Sequence, residues 1–209
     1  MIGRGTMALV SQGVVVAARV GRNTMQRGMI GMQEAVLEFW FDELEQAQWW
    51  HKDGALDALI AERFGTLHAR ALQCELYDWR RTAQGRLAEI IVLDQFSRNI
   101  YRDTPAAFAG DPLALALAQT AVAAGADQVL TPTQKSFLYM PYMHSESLAI
   151  HEQAVKLYSQ PGLEFNLDFE IRHKEIIERF NRYPHRNAIL GRESTPDEVD
   201  FLRQPGSSF

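Results

Sequence analysis

From Arg179 to Arg192 the chain reads R-F-N-R-Y-P-H-R-N-A-I-L-G-R, with four arginines, one histidine and no acid. Guanidinium forks suit paired recognition of carboxylate or phosphate oxygens. Pro184 can open a helical turn and leave backbone N–H groups free at its start, where an anion is favoured. Arg182, His185 and Arg186 surround that point, and Asn187 follows. An ordinary histidine titrates near neutrality, so His185 is a candidate for proton transfer. The segment reads as an anion site with an acid–base residue inside it. The alternative is a clamp, in which the same arginines pair with acids of the body and hold the last helices down.

Other polar residues fall where helical spacing calls for apolar ones. Leu87, Ile90, Ile91, Asp94, Arg98 and Tyr101 share one stripe, which places Asp94 on an inward face. A buried carboxylate needs a partner, and Arg98 lies one turn further on. His144, Leu148, His151, Val155 and Tyr158 share a stripe in the helix expected after Pro141. His173 lies among Phe169, Ile176, Ile177 and Phe180. These stations are expected to converge on one cavity beside the arginine segment. The leading reading is a helical-repeat-like binding module whose pocket, lined by Asp94, Arg98, His144, Arg182, His185 and Arg186, holds a small anionic ligand or an acidic peptide end. In the second, catalytic reading, His185 or His144 is the general acid–base and Asp94 orients it. Arg98, His173, Arg182, Arg186 and Asn187 then bind the ligand. In the bland reading each polar residue is an internal pair that only specifies packing.

Several chemistries find no support. His144 and His151 on one helix would stand about 10 Å apart along its axis, too far to share a metal ion. H-S-E at His144–Glu146 matches the start of a zinc-deaminase signature, but its P-C-x-x-C partner is absent. There is no zinc-protease H-E-x-x-H, phosphate loop, dinucleotide fingerprint or nucleophile elbow. No metal and no cofactor are expected.

Charge narrows the partners. Residues 33–171 hold 10 basic and 20 acidic side chains, and residues 172–209 hold 7 and 6. A nucleic-acid surface needs broad positive charge, so no nucleic-acid partner is expected. A small anionic ligand or an acidic peptide end fits better. The single cysteine, Cys74, cannot form an internal disulfide and is expected to be a buried apolar residue. The apolar run near residues 8–20 is broken by Ser11, Gln12, Gly13 and Arg19, too short to span a bilayer. The expected setting is cytoplasmic, without a membrane partner.

The elements that must position these residues are helices. Periodicity is 3.6 throughout the body, and no stretch alternates like a strand. Val36, Leu37, Trp40, Phe41 and Leu44 form one face. Leu56, Leu59, Ile60, Phe64 and Leu67 form another. The aromatic group Phe39, Trp40, Phe41, Trp49 and Trp50 is expected in the core. Thr104-Pro105, Asp111-Pro112, Thr131-Pro132 and Thr195-Pro196 mark helix starts, the last two with Gln134 or Glu198 completing a capping box. The expectation is an all-α fold of about eight helices in antiparallel hairpins, a tetratricopeptide-like superhelix or a bundle. Residues 33–209 form one domain. Residues 1–32 are expected to lie outside it, as a disordered tail or an over-long translation start, with a native beginning near Met29 or Met32.

Three motifs carry a family resemblance: L-D-Q-F-S-R-N-I-Y-R (Leu93–Arg102), Y-M-P-Y-M-H-S-E (Tyr139–Glu146) and the Arg179–Arg192 segment. S-T-P-D-E-V-D-F-L (Ser194–Leu202) agrees as well. Together they resemble the bacterial family called domain of unknown function 924, over roughly Gln33 to Leu202. The resemblance implies an all-α, tetratricopeptide-like fold and no assigned activity, so no catalytic residue is carried over. Ser97 stands where the family often has proline, and Asn181 where it often has glycine.

Overall fold

A computed structural model describes residues 31–208, which contain helices and turns and no strand. Expectations for residues 1–30 lie outside the described residues. Gly31 and Met32 already belong to the first helix, α1 (residues 31–38), and Met32 packs on the core. A π-helical turn, Phe39–Glu43, follows α1 and buries Phe39 and Trp40.

The expected aromatic core is only partly realised. Trp40 meets Phe137 edge-on at 5.6 Å, and Trp49 meets the same ring at 4.9 Å. Trp50 stays mostly in solvent, because it ends a short 3-10 turn, Gln46–Trp50, at the rim of this cluster. Helix α2 (Gly54–Leu72) starts on Asp53, whose carboxylate accepts from the N–H groups of Ala55 and Leu56. It buries Leu56, Ile60, Phe64 and Leu67, whereas Leu59 turns out to solvent. The expected inward stripe was one residue too wide. Cys74 is exposed, against expectation: it lies beyond the end of α2 in a turn with φ 58°.

The centre of the molecule is a continuous rod of α3 (Ala83–Ile91), a π turn (Val92–Phe96) and α4 (Ser97–Ile100). Every residue from Leu87 to Ser97 is buried, so the rod has no solvent face there. That is why Asp94 is interior whichever stripe it occupies. The rod starts under tight contact, since a Cβ on Gly85 would stand 2.1 Å from the Trp79 carbonyl oxygen.

Helices α5 (Asp111–Ala123), α6 (Pro132–Met143), α7 (Leu148–Tyr158), α8 (Glu164–Phe180) and α9 (Pro196–Leu202) complete the fold. Both expected capping boxes form, Thr131 with Gln134 and Thr195 with Glu198. The other two signatures do not cap. The Thr104 hydroxyl donates back to the Tyr101 carbonyl, and Gly110 precedes α5 as its cap. The Asp111 carboxylate is held instead by Arg98 and Arg186. The run Pro105–Ala123 is apolar and long enough to cross a membrane, but α5 within it has 13 residues and buries Ala114, Ala118 and Ala121 in the core.

Helix α7 pairs with α6 on one side and α8 on the other. Helix α8 ends at Asn181, which is left-handed at φ 55°. That conformation suits glycine or asparagine, which accounts for asparagine where glycine is common. A second, smaller core of Ile176, Ile177 and Tyr183, flanked by Phe180 and Phe201, ties the C-terminal segment to α8.

Candidate functional site

The site forms where the rod, the α6–α7 junction and the 3-10 turn Pro184–Arg186 meet. Asp94, on the π turn of the rod, is 1% exposed. Its Oδ1 lies 2.8 Å from His144 Nδ1, and its Oδ2 accepts from Gln95 Nε2 at 2.5 Å. Burial alone would raise the Asp94 pKa. The Arg98 charge, then His144 and Gln95, overcome that and hold the carboxyl well below the usual carboxylate range. An ionised Asp94 can only accept, so His144 donates through Nδ1–H and its neutral form keeps a lone pair on Nε2. The His144 side chain retains 14% of its surface in solvent, and Nε2 makes no hydrogen bond among the described residues. Burial, helped by the Arg98 charge, lowers the His144 pKa, with Asp94 opposing.

Two guanidiniums flank this pair. Arg98 holds Asp111 bidentately at 2.9 and 3.0 Å and donates to the Asp94 carbonyl at 2.7 Å. The expected i,i+4 pair with the Asp94 carboxylate also forms, at the longer distance of 3.4 Å. Arg186, 6% exposed, lies 4.7 Å from the ring centres of both Phe108 and Tyr183. It donates to the His144 carbonyl at 3.1 Å and reaches Asp111 at 3.4 Å, while its Nε–H is buried without a hydrogen bond. Burial, then repulsion from Arg98, lowers its pKa.

One expectation needs correction at the histidines. His144 and His151 do not share a helix stripe: His144 caps the C-terminus of α6, and α7 starts only at Leu148. Residues 145–147 break the helix between them. The last carbonyls of a helix lack internal donors, and here three side chains supply them. Tyr183 Oη–H donates to Met143 at 2.5 Å, Arg186 to His144, and His151 Nε2–H to Ser145 at 2.8 Å. Glu146 anchors the far side, accepting from Arg192 at 2.7 and 2.9 Å and from the Tyr183 N–H at 2.8 Å. The second and third sequence motifs are thus two halves of one lock that sets the His144 backbone.

The other candidates divide. His173 and Arg186 both lie near the Tyr183 ring, at 5.8 and 4.7 Å from its centre, and His173 donates through Nδ1–H to the Phe169 carbonyl at 2.7 Å. Burial pushes its pKa down to about 3. His185 is likewise pushed to about 3, by burial and then the Arg186 charge, which makes it a poor base at neutral pH. Arg182 turns to the C-terminal segment and holds Glu198 at 2.6 and 2.7 Å. Asn187 is fully buried, with Arg192 and Ser194 as partners. Arg182 and Arg192 therefore act as the clamp, whereas Arg186 enters the cluster.

Asp111, Phe108, Tyr183 and Glu146 were not singled out as site residues from sequence. In sequence the Asp-Pro pair at Asp111 reads as a cap, and only its distance from Arg98 in space reveals its ion pairing. A cavity of about 310 Å³ lies elsewhere, lined by Phe39, Glu43, Leu44, Gln48, Asp53 and Leu56 among others, and borders none of the cluster. Among the described residues no group of three or more histidine, cysteine or acidic side chains has metal-binding geometry.

The sequence family described as a bacterial protein of unknown function (DUF924) matches residues 36–206. Among solved structures, a protein of unknown function from Agrobacterium tumefaciens is similar. It is 37% identical, with a TM-score of 0.79 over 83% of this chain and 98% of its own. No curated protein matches the chain.

Proposed function

The chain belongs to the DUF924 family of bacterial proteins of unknown function, and we propose that it performs acid–base chemistry on a small substrate bearing a carboxylate or phosphate. The observation that carries this reading is the Asp94–His144 pair, 2.8 Å apart, with the histidine's second nitrogen uncommitted. His144 Nε2 takes a proton from the substrate or from a water. Asp94 holds the ring in the productive tautomer and stabilises the imidazolium that results. Arg98 and Arg186 offset negative charge on the substrate and charge that develops as the proton leaves. Asp94 sits in a π turn, a deformation common at functional sites. We place the protein in the cytoplasm and read the hairpins α6–α7–α8 as tetratricopeptide-like in stacking.

A second reading, capture of a small anion or acidic peptide end without chemistry, is supported by Arg186. Its unbonded Nε–H and long contact with Asp111 leave it the least satisfied arginine of the cluster. One experiment separates the two. Thermal-shift screening against carboxylated and phosphorylated metabolites is expected to find ligands; one present at about 100 times its Kd would stabilise the fold by about 2.7 kcal/mol. Arg186→Lys should lose the shift. His144→Gln should keep it while abolishing any conversion of the hit followed by NMR. Binding that depends on Arg186, with no conversion by the wild type, selects the capture reading. Shifts unaffected by both substitutions would place the ligand elsewhere.

A further inference from the structure

A buried pair lies behind the α6–α7 junction that neither reading uses. His151 and Glu170 are both 0% exposed, and His151 Nδ1 lies 2.7 Å from Glu170 Oε1. The other ring nitrogen faces the Ser145 carbonyl, which can only accept, so Nε2 carries a hydrogen. One proton therefore remains to be assigned between Nδ1 and Glu170. Glu170 Oε2 is buried with no hydrogen bond, a costly place for a carboxylate oxygen and a far cheaper one for the carbonyl of a neutral acid. Burial also raises the Glu170 pKa, against His151 and Lys174, which lower it. Lys174 is itself committed to Glu178. The remaining polar groups facing the pair are Tyr158 on α7, His173 on α8 and Tyr183, whose hydroxyl is 3.2 Å from His151 Nε2.

We propose that Glu170 is a neutral acid donating to His151 Nδ1, that this fixes the Nε2–H tautomer, and that the pair is a positioning device for His144 acting through the Ser145 carbonyl. The inference rests on the reading of His144 as the working residue of the site. Its geometry has one consequence for the tautomer: moving the hydrogen from Nε2 to Nδ1 would strip Ser145 of its donor and set two lone pairs facing each other. The α6–α7 junction would then lose one of its three anchors, and the His144 backbone is the part that shifts.

The test reads the histidine rings of the full chain by nitrogen–proton NMR, with no substrate present. In the wild type, His151 should show one pyridine-type and one pyrrole-type nitrogen at neutral pH. Two alike nitrogens, the imidazolium pattern, would overturn the proposal. Glu170→Gln, whose amide N–H can replace the acid's donor, should leave the His144 ring signals in place. Glu170→Leu should move or split them. Movement in the glutamine variant, or none in a folded leucine variant, would also overturn it; if the leucine variant fails to fold, the wild-type pattern and the glutamine variant decide. These spectra stand whether or not the protein proves to turn over a substrate, so failure here is distinct from failure of the proposed activity.

Discussion

Arg186 donates to the backbone carbonyl of His144 at 3.1 Å, although 42 residues separate them. This bond joins the last arginine-rich turn to the residue we propose as the acid–base group. A helix end buried without donors would be unstable, so the same contact that closes α6 also sets the His144 backbone. Fold and site are one arrangement at this point, and substitutions here are expected to touch both.

Asp94→Ala should destabilise the protein by about 3–5 kcal/mol, because it leaves a buried histidine and arginine facing an uncompensated gap. Urea denaturation measures it. Asp94→Asn should cost less and should lower the His144 titration further, since the Asp94 charge raises that pKa. An unchanged His144 titration in folded Asp94→Asn would contradict the pairing.

Acid should unfold the protein early. His173 and His185 are held to about 3 in the fold against an ordinary value of 6.5. The unfolded chain binds more protons at these two histidines between those limits, so their contribution to stability is full above about pH 6.5 and falls as pH drops toward 3, with the raised Glu170 carboxyl working in the opposite direction. The slope reaches about 1.4 kcal/mol per pH unit for each histidine. The depressed carboxyls of Asp94 and Glu146 add loss in the same direction at the acid end. A folded His173→Gln variant should show a shallower acid limb in thermal melts at stepped pH.

Asn181→Val should cost about 1–2 kcal/mol, since a branched side chain at φ 55° is strained. Asn181→Gly should be close to neutral. Equal melting temperatures for the valine variant and wild type would show that α8 does not end in a left-handed residue.

Arg182→Ala should free α9 without disturbing the His144 site. Its two bonds to Glu198 are the side-chain latch of that helix. Hydrogen exchange is expected to rise across Pro196–Leu202, with the Met143–Glu146 amides unchanged. A parallel rise at both places would mean that the clamp and the site are coupled.

How much was legible beforehand follows from the range of each interaction. The Thr131 and Thr195 capping boxes are contacts over three residues, so spacing alone identifies them. Asp94 is recognisable as an interior carboxylate because its neighbours are apolar, and the spacing to Arg98 points to an ion pair that the structure has at 3.4 Å. Its hydrogen bond with His144, 50 residues away, could not be read from spacing. The stripe through His144 and His151 failed because periodicity carried a helix across Ser145–Ser147, where the chain turns.

The amino-acid order by itself determined an all-helical body, where most helices begin, which polar side chains would be forced indoors, and the family motifs. Those are consequences of local geometry and of the cost of burying polar groups. Only the tertiary structure decided which arginine meets which acid: Arg182 and Arg192 spent on the C-terminal lock, Arg98 and Arg186 gathered around Asp111, and His144 set against Asp94. Many pairings satisfy the same buried charges on paper, and the packing of α6, α7 and α8 against the central rod selects one of them.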